Sequence, residues 1–161
     1  MQHFERVYIG GTWRAPHGTG LIDVVNPATE GVIGHAPACD ALDVDSAVAA
    51  ARTALPAWSN TSPLERARFL GALAGALAEQ RDEIAATITA EVGMPLELSK
   101  RIQAALPAGV CASYAELLSH FAFEQRIAHS LVVREPVGVV ACITPWNYPL
   151  HQIVANSRHP D

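Results

Sequence analysis

Residues Val137 to Ile143 form an unbroken apolar run dominated by β-branched valine, and the run leads straight into Thr144-Pro145-Trp146-Asn147-Tyr148-Pro149. A short run without polar alternation suits a strand covered on both faces, as in a parallel sheet. A parallel strand needs neighbours in its sheet, and the sequence ahead of this one supplies no parallel partner. The sheet it implies is therefore expected to be completed by sequence outside these 161 residues or by another chain.

The rest of the composition fits a globular, helix-rich protein. Half of the residues are apolar, 17% are charged and the net charge is −5, so the chain has material for a core and is not a disordered segment. Lys100 is the single lysine and no basic cluster exists, which argues against a nucleic-acid partner. The start, Met1-Gln2-His3-Phe4-Glu5-Arg6, lacks the apolar centre of a signal peptide. No apolar stretch is long enough to span a bilayer, so a cytoplasmic protein without membrane contact is expected. Cys39, Cys111 and Cys142 are far apart, odd in number and free of C-x-x-C spacing. They read as reduced, mostly buried thiols. The seven histidines show no ligand spacing, so no metal site is expected.

Turn and cap residues divide the chain. Val7-Tyr8-Ile9, Leu21 to Val25 and Val32-Ile33-Gly34 read as short strands of an antiparallel meander, with Asn26-Pro27-Ala28-Thr29-Glu30-Gly31 as a turn. Asp40 to Asp45 opens a helix with a stripe of Val44, Val48, Ala51 and Leu55. Pro56 is expected to end it and Trp58 to bury against it. Ser62-Pro63-Leu64-Glu65 is a capping box followed by the stripe Leu70, Leu73, Ala74 and Leu77. Helical spacing continues through Ile84 and Ile88 to a cap at Gly93. Pro95 restarts a helix through Leu98, Ile102 and Ala105. Pro107 should kink or break it, and Ala108 to Ser119 forms another. Ile127 to Val137 is β-prone, and Tyr148 to Ala155 can begin a last helix.

Ligands of open α/β sheets bind beyond the carboxyl ends of the strands, the position that Ile143 to Asn147 would occupy. Pro145 and Pro149 restrict the backbone on both sides of Asn147. An amide held this way can donate to a developing oxyanion. It can equally be a turn residue satisfying backbone, with Trp146 in the core. Cys142, inside the apolar run, reads as a structural thiol. Dinucleotide fingerprint, P-loop and nucleophile-elbow motifs are all missing.

Several segments, in order, resemble the N-terminal part of the aldehyde dehydrogenase superfamily. They are Asn26-Pro27-Ala28-Thr29 with Gly31-Val32-Ile33-Gly34, Ala57-Trp58 with Ser62-Pro63-Leu64-Glu65-Arg66-Ala67, and Thr89-Ala90-Glu91-Val92-Gly93-Met94-Pro95. The most specific are Arg134-Glu135-Pro136-Val137-Gly138-Val139-Val140 and Ile143-Thr144-Pro145-Trp146-Asn147-Tyr148-Pro149. The resemblance implies an α/β fold with a β hairpin or meander, a helical layer, a β arm and the first buried strand of an incomplete Rossmann-like sheet. Residues 1–125 would be the hairpin and helices of the cofactor-binding domain, and 126–136 the arm. Residues 137–155 would be the first strand and turn, and 156–161 a divergent tail.

The same resemblance implies oxidation of an aldehyde to a carboxylic acid with NAD or NADP. Asn147 would be the oxyanion donor, and Ile143, Thr144, Pro145 and Trp146 would line the cofactor crevice. The arm would pair subunits of a homo-oligomer. The family's nucleophilic cysteine, glutamate base and ribose-binding lysine have no counterpart in these residues. The expectation is thus a truncated oxidoreductase fragment, inactive alone. The alternative is a non-catalytic fragment that uses its arm to pair with a full-length relative. The residues leave the particular aldehyde, and NAD against NADP, open.

Overall fold

The computed structural model describes residues 2, 3 and 5–156; the expected divergent tail lies, but for Asn156, outside them. The N-terminal strands form two sheets and not one meander. Strands β2 (Val7–Ile9) and β3 (Thr12–Arg14) make a tight hairpin. Its two-residue turn needs positive φ at both positions, and Gly10 and Gly11 supply φ of 63° and 82°. Tyr8 and Trp13 meet edge to face across it at 5.3 Å. The turn folds Val7–Ile9 back on its immediate neighbours, which is why this strand does not join the others.

The second sheet has β5 (Val32–Ala38) at its centre, with β4 (Gly20–Val25) antiparallel on one edge and β1 (Gln2–His3) parallel on the other. The connecting turn follows its Asn-Pro chemistry. The Asn26 side-chain oxygen accepts from the amides of Ala28 at 2.9 Å and Thr29 at 3.3 Å, and the Asn26 amide donates to the Gly31 carbonyl at 2.9 Å.

Helix α1 (Ala41–Ser59) begins with two aspartates that cap each other. Asp40 accepts from the amides of Leu42 and Asp43, and Asp43 accepts from the amide of Asp40. Buried Asp43 also accepts from the amides of His17 at 2.7 Å and Gly18 at 3.1 Å, which ties the loop before β4 to the helix. Pro56 does not end α1. It removes one donor, but the last turn is secured from outside. The Asn60 amide donates to the Pro56 carbonyl, and both the hydroxyl and the amide of Thr61 donate to that of Trp58. Trp58 is half-exposed and leans on Phe69 of the next helix at 5.7 Å, so its partner is not α1.

Helix α2 (Pro63–Glu79) carries the expected box. Ser62 Oγ accepts from the Glu65 amide at 3.2 Å, and the Glu65 carboxylate accepts from the Ser62 amide at 3.0 Å. Helix α3 (Arg81–Val92) ends at Gly93 with φ of 81°. A side chain there would meet Pro27 Cγ at 2.7 Å, so the end of α3 rests on the β4–β5 turn. The next helix is continuous from Leu96 to Leu117: α4 (Leu96–Leu98), a π-helical segment (Ser99–Ala105) and α5 (Leu106–Leu117). Pro107 thus falls in the first turn of α5 and breaks nothing. A proline ring clashes with the carbonyl four residues earlier in a regular α-helix, and that carbonyl here belongs to the wider π turn. Helix α6 (Pro149–Asn156) packs on α5 and on the π-helical segment. Ala74, Cys111 and Val154 form the buried seam of α2, α5 and α6, flanked by Leu70, Leu77, Val110 and Leu150.

Strands β6 (Glu124–Ile127) and β7 (Ser130–Val133) pair as an exposed hairpin. Beyond them the expected buried strand differs from expectation in one respect. Residues 137–143 have no ladder partner among the described residues, and every one but half-covered Gly138 is exposed. β propensity cannot by itself supply the two neighbours that a parallel strand requires.

Two outcomes follow from these caps. Replacing Gly93 with alanine puts a side chain at positive φ and against Pro27, so thermal unfolding should show a loss of about 1–2 kcal/mol or more. His17 Nδ1 lies 2.6 Å from Asp40 Oδ2, and this hydrogen bond raises the His17 pKa above 6.5 and lowers that of Asp40 below 3.8. Asp43 is lowered by the amides of His17 and Gly18. The His17 contribution should be complete below pH 6.5 and fade as pH rises through its raised value. The aspartate contributions should be complete above pH 3.8 and fade as pH falls through their lowered values. Urea melts across this range should show both declines, and H17N should remove the alkaline one and shrink the acidic one to the part that Asp43 and the remaining amide bonds of Asp40 contribute.

Candidate active-site turn

The turn that carries Asn147 is built from restriction on both sides. Pro145 fixes φ before it, and Pro149 occupies the first position of α6, where a missing amide costs nothing. Helix α6 is seated by Leu150 and Val154 in the α2–α5 seam, and its Gln152 amide donates to the Tyr148 carbonyl at 3.0 Å. The turn is also held from the side. Gln103 Nε2, in the π-helical segment, donates to the Asn147 carbonyl at 2.8 Å across 44 residues of sequence. Gln103 is fully buried.

Asn147 is exposed, and its side-chain amide enters no hydrogen bond among the described residues. The backbone of this residue is therefore anchored while its side chain stays uncommitted. Ile143, Thr144, Pro145 and Trp146 run beside it as one exposed strip, with Ile143 92% and Trp146 77% exposed. Trp146 is thus not a core residue. The strip presents a flat aromatic ring, aliphatic surface and one hydroxyl, which is chemistry suited to one wall of a planar ring's pocket. All the predicted site residues lie together on one connected surface. The sheet-end cleft they were expected to line is not formed by the described residues, because the strand leading to them is unpaired.

Nearby chemistry is sparse. Cys142 is exposed, against the expectation of a buried thiol, because the run that holds it is uncovered; Cys39 is exposed and Cys111 buried. Desolvation pushes the thiols of Cys39 and Cys111 above their ordinary value, and Asp43 and Asp40 push Cys39 further. Both shifts disfavour the thiolate that attacks carbonyls. No cluster of histidine, cysteine or carboxylate among the described residues can hold a metal. A groove of about 750 Å³ runs between the facing ends of α1 and α2 and the segment from Val133 to Cys142, but it stops short of Asn147.

Sequence reasoning missed Gln103. It sits between Ile102 and Ala105 and looks like a polar interruption of an apolar stripe. The one available signal was spacing: Ser99 and Gln103, four residues apart, share a face and are both fully buried.

Residues 13–159 match the family model described as "Aldehyde dehydrogenase family". Among similar proteins, the 3-succinoylsemialdehyde-pyridine dehydrogenase of a Pseudomonas species is 41% identical over 156 residues, covering 96% of this chain and 33% of that protein. A putative aldehyde dehydrogenase of Staphylococcus aureus is 37% identical over 152 residues, covering 94% and 32%. Among solved structures, a mutant aldehyde dehydrogenase C of Pseudomonas syringae with NAD+ and octanal superposes with a TM-score of 0.92 at 42% identity, covering 94% and 31%. The Mycobacterium tuberculosis aldehyde dehydrogenase with NAD+ gives 0.89 at 35% identity, covering 94% and 33%. The chain spans about a third of the length of the relatives it matches.

The exposure of the thiols has a direct readout. Native iodoacetamide labelling followed by mass spectrometry should modify Cys39 and Cys142 and spare Cys111 until the chain is unfolded. Protection of Cys142 in the native chain would contradict the uncovered run.

Proposed function

The chain belongs to the aldehyde dehydrogenase family, and on that premise we propose that it is the N-terminal portion of an enzyme that oxidises an aldehyde to a carboxylic acid with NAD or NADP. One observation carries the reading: an uncommitted amide on a turn whose backbone is fixed by two prolines and a buried hydrogen bond. Asn147 donates its side-chain N–H to the carbonyl oxygen as that oxygen gains negative charge. Its backbone is located in advance by the Gln103 bond, which limits the reorganisation that accompanies the attack. Ile143, Thr144, Pro145 and Trp146 form one wall for the dinucleotide, which when bound supplies the hydride acceptor. Their exposed apolar and aromatic surface fits that role.

The nucleophile and the water-activating base come from beyond these residues in this reading. Cys39 and Cys111 are shifted away from thiolate, and Cys142 precedes the turn on the uncovered run. These residues alone are then inactive. Residues 1–125 belong to the cofactor-binding domain, 126–136 to an oligomerisation arm, and 137–155 to the first strand and turn of its sheet. Cytoplasmic location and homo-oligomeric assembly belong to the same reading.

The second reading is a non-catalytic fragment that pairs with a full-length relative. The β6–β7 hairpin favours it, because Ile127, Leu131 and Val133 are each at least half exposed and the hairpin's outer edges are unpaired.

The test is N147A in a complete enzyme, made by joining residues 1–155 to the remaining two-thirds of the Pseudomonas syringae relative. Loss of one oxyanion donor should lower kcat by roughly 10²–10³-fold with the cofactor KM within about threefold of the parent. A kcat within twofold of the parent would exclude the donor role. Dinucleotide reduction by the 161-residue chain alone would exclude its inactivity. Stoichiometric co-purification with an intact relative would favour the second reading.

A further inference from the structure

We propose that Gln103 is a positioning residue for the active-site turn: from the π-helical segment it clamps the Asn147 carbonyl so that the Asn147 amide is left aimed outward. The proposal rests on the reading of Asn147 as oxyanion donor and deepens it.

Gln103 is fully buried, and its Nε2 donates to the Asn147 carbonyl at 2.8 Å. A carbonyl can only accept, so the orientation of the Gln103 amide is fixed by its partner. The other end of that amide, Oε1, is buried and has no protein partner among the described residues. Leucine or methionine would fill much the same volume but would take this donor away from the Asn147 carbonyl. What the amide supplies is a fixed distance between the helical layer and one backbone atom of the turn.

The π-helical segment makes that reach possible. Such wider turns occur mostly as short bulges inside α-helices and are frequent at functional sites, and here the segment is held at both ends of the buried face. Ser99 accepts from the Thr89 hydroxyl of α3 at 3.0 Å and can donate to the Met94 carbonyl at 3.4 Å. Gln103, one turn on, faces the other way in the chain's order and holds the turn before α6. The pair ties α3, the π-helical segment and the Asn147 turn into one unit. Pro145 and Pro149 restrict φ at their own positions, and Pro149 narrows the range of Tyr148, but neither sets the tilt of Trp146 and Asn147 relative to the helical layer. The single bond to the Asn147 carbonyl removes that freedom of tilt at the residue whose side chain matters. A displacement on the order of 1 Å at a reacting group can cost about 10²-fold in rate, so the clamp has a kinetic consequence out of proportion to its stability.

The test compares Q103M, which keeps volume and loses the donor, with Q103E, whose carboxyl can donate only when protonated. In the 161-residue chain, hydrogen–deuterium exchange should show protection at Gln152, whose amide donates to the Tyr148 carbonyl, and along the rest of α6. Q103M should lower it about tenfold, the scale of one hydrogen bond, with α2 and the β4–β5 sheet changed less than twofold. Q103E should retain protection at acidic pH and lose it as the carboxyl ionises. In the joined enzyme, Q103M should lower kcat by roughly 10–100-fold with little change in KM, and Q103E should recover kcat toward acidic pH relative to the parent. An unprotected Gln152 amide in the parent chain, a loss spread evenly over the chain, or an unaltered kcat in Q103M would overturn the proposal. If N147A keeps full activity while Q103M still loosens the turn, the oxyanion reading fails and the clamp stands. If N147A is inactive and Q103M is silent in both measurements, the clamp alone fails.

Discussion

The seam between α2, α5 and α6 is the constraint from which the rest of this structure hangs. Its buried members are few and small: Ala74, Cys111 and Val154, with Leu70, Leu77, Val110 and Leu150 at the margins. Small residues let the helices approach closely; fully burying a valine adds on the order of 1.5–3 kcal/mol and an alanine methyl about 0.8 kcal/mol. Leu150 and Val154 are one helical turn apart on α6, so the same stripe that closes the core also fixes where α6 begins. Its first residue is Pro149, two residues after Asn147. Position of the turn is thus inherited from packing of the core, and only its fine aim depends on polar contacts.

Much apolar surface is left outside that seam. Leu42, Val44 and Trp58 on α1, the β6–β7 hairpin, and the segment from Val137 to Trp146 are all exposed. Scattered apolar residues are ordinary, but contiguous ones mark surfaces meant to be covered. The exposed run is also the one whose composition demands cover on both faces. A chain matching relatives three times its length over nearly all its own residues accounts for this pattern directly: the elements are correctly formed, and the layers that would bury them are not among these residues.

That division explains what was legible in the sequence. Caps and turns were, because their partners lie within a few residues: Ser62 with Glu65, Asp40 with Asp43, Asn26 with Ala28, and the left-handed Gly93. Most of the helical stripe of α2 was legible, because Leu70, Ala74 and Leu77 face the seam with α5 and α6, whereas Leu73, expected beside them, is exposed. The features that escaped depend on distant or external groups. Pro56 stays inside α1 because Asn60 and Thr61 take over its last carbonyls, and Pro107 is accommodated by a π turn that no periodicity announces. Trp58 turned to Phe69, and Cys142 lost its expected burial with the run around it. Within the site, the order Thr144 to Pro149 announced a restrained turn but left Asn147 open between turn residue and oxyanion donor, and the donor role came only from the ordered resemblance. Gln103 was not, because a glutamine among apolar neighbours reveals its role only when the residue it touches, 44 positions on, is known.

The site therefore joins two kinds of restraint with different reach. The prolines act on the unfolded chain as much as on the folded one, since they limit the conformations the turn can sample before any packing occurs. The Gln103 bond acts only once α5 and α6 have docked. A turn governed by prolines alone would be stiff but free to tilt relative to the helical layer. A turn governed by the hydrogen bond alone would be located but soft. An oxyanion donor needs both properties, because its contribution depends on distance and direction at the moment charge develops, without time or energy spent on reorganisation.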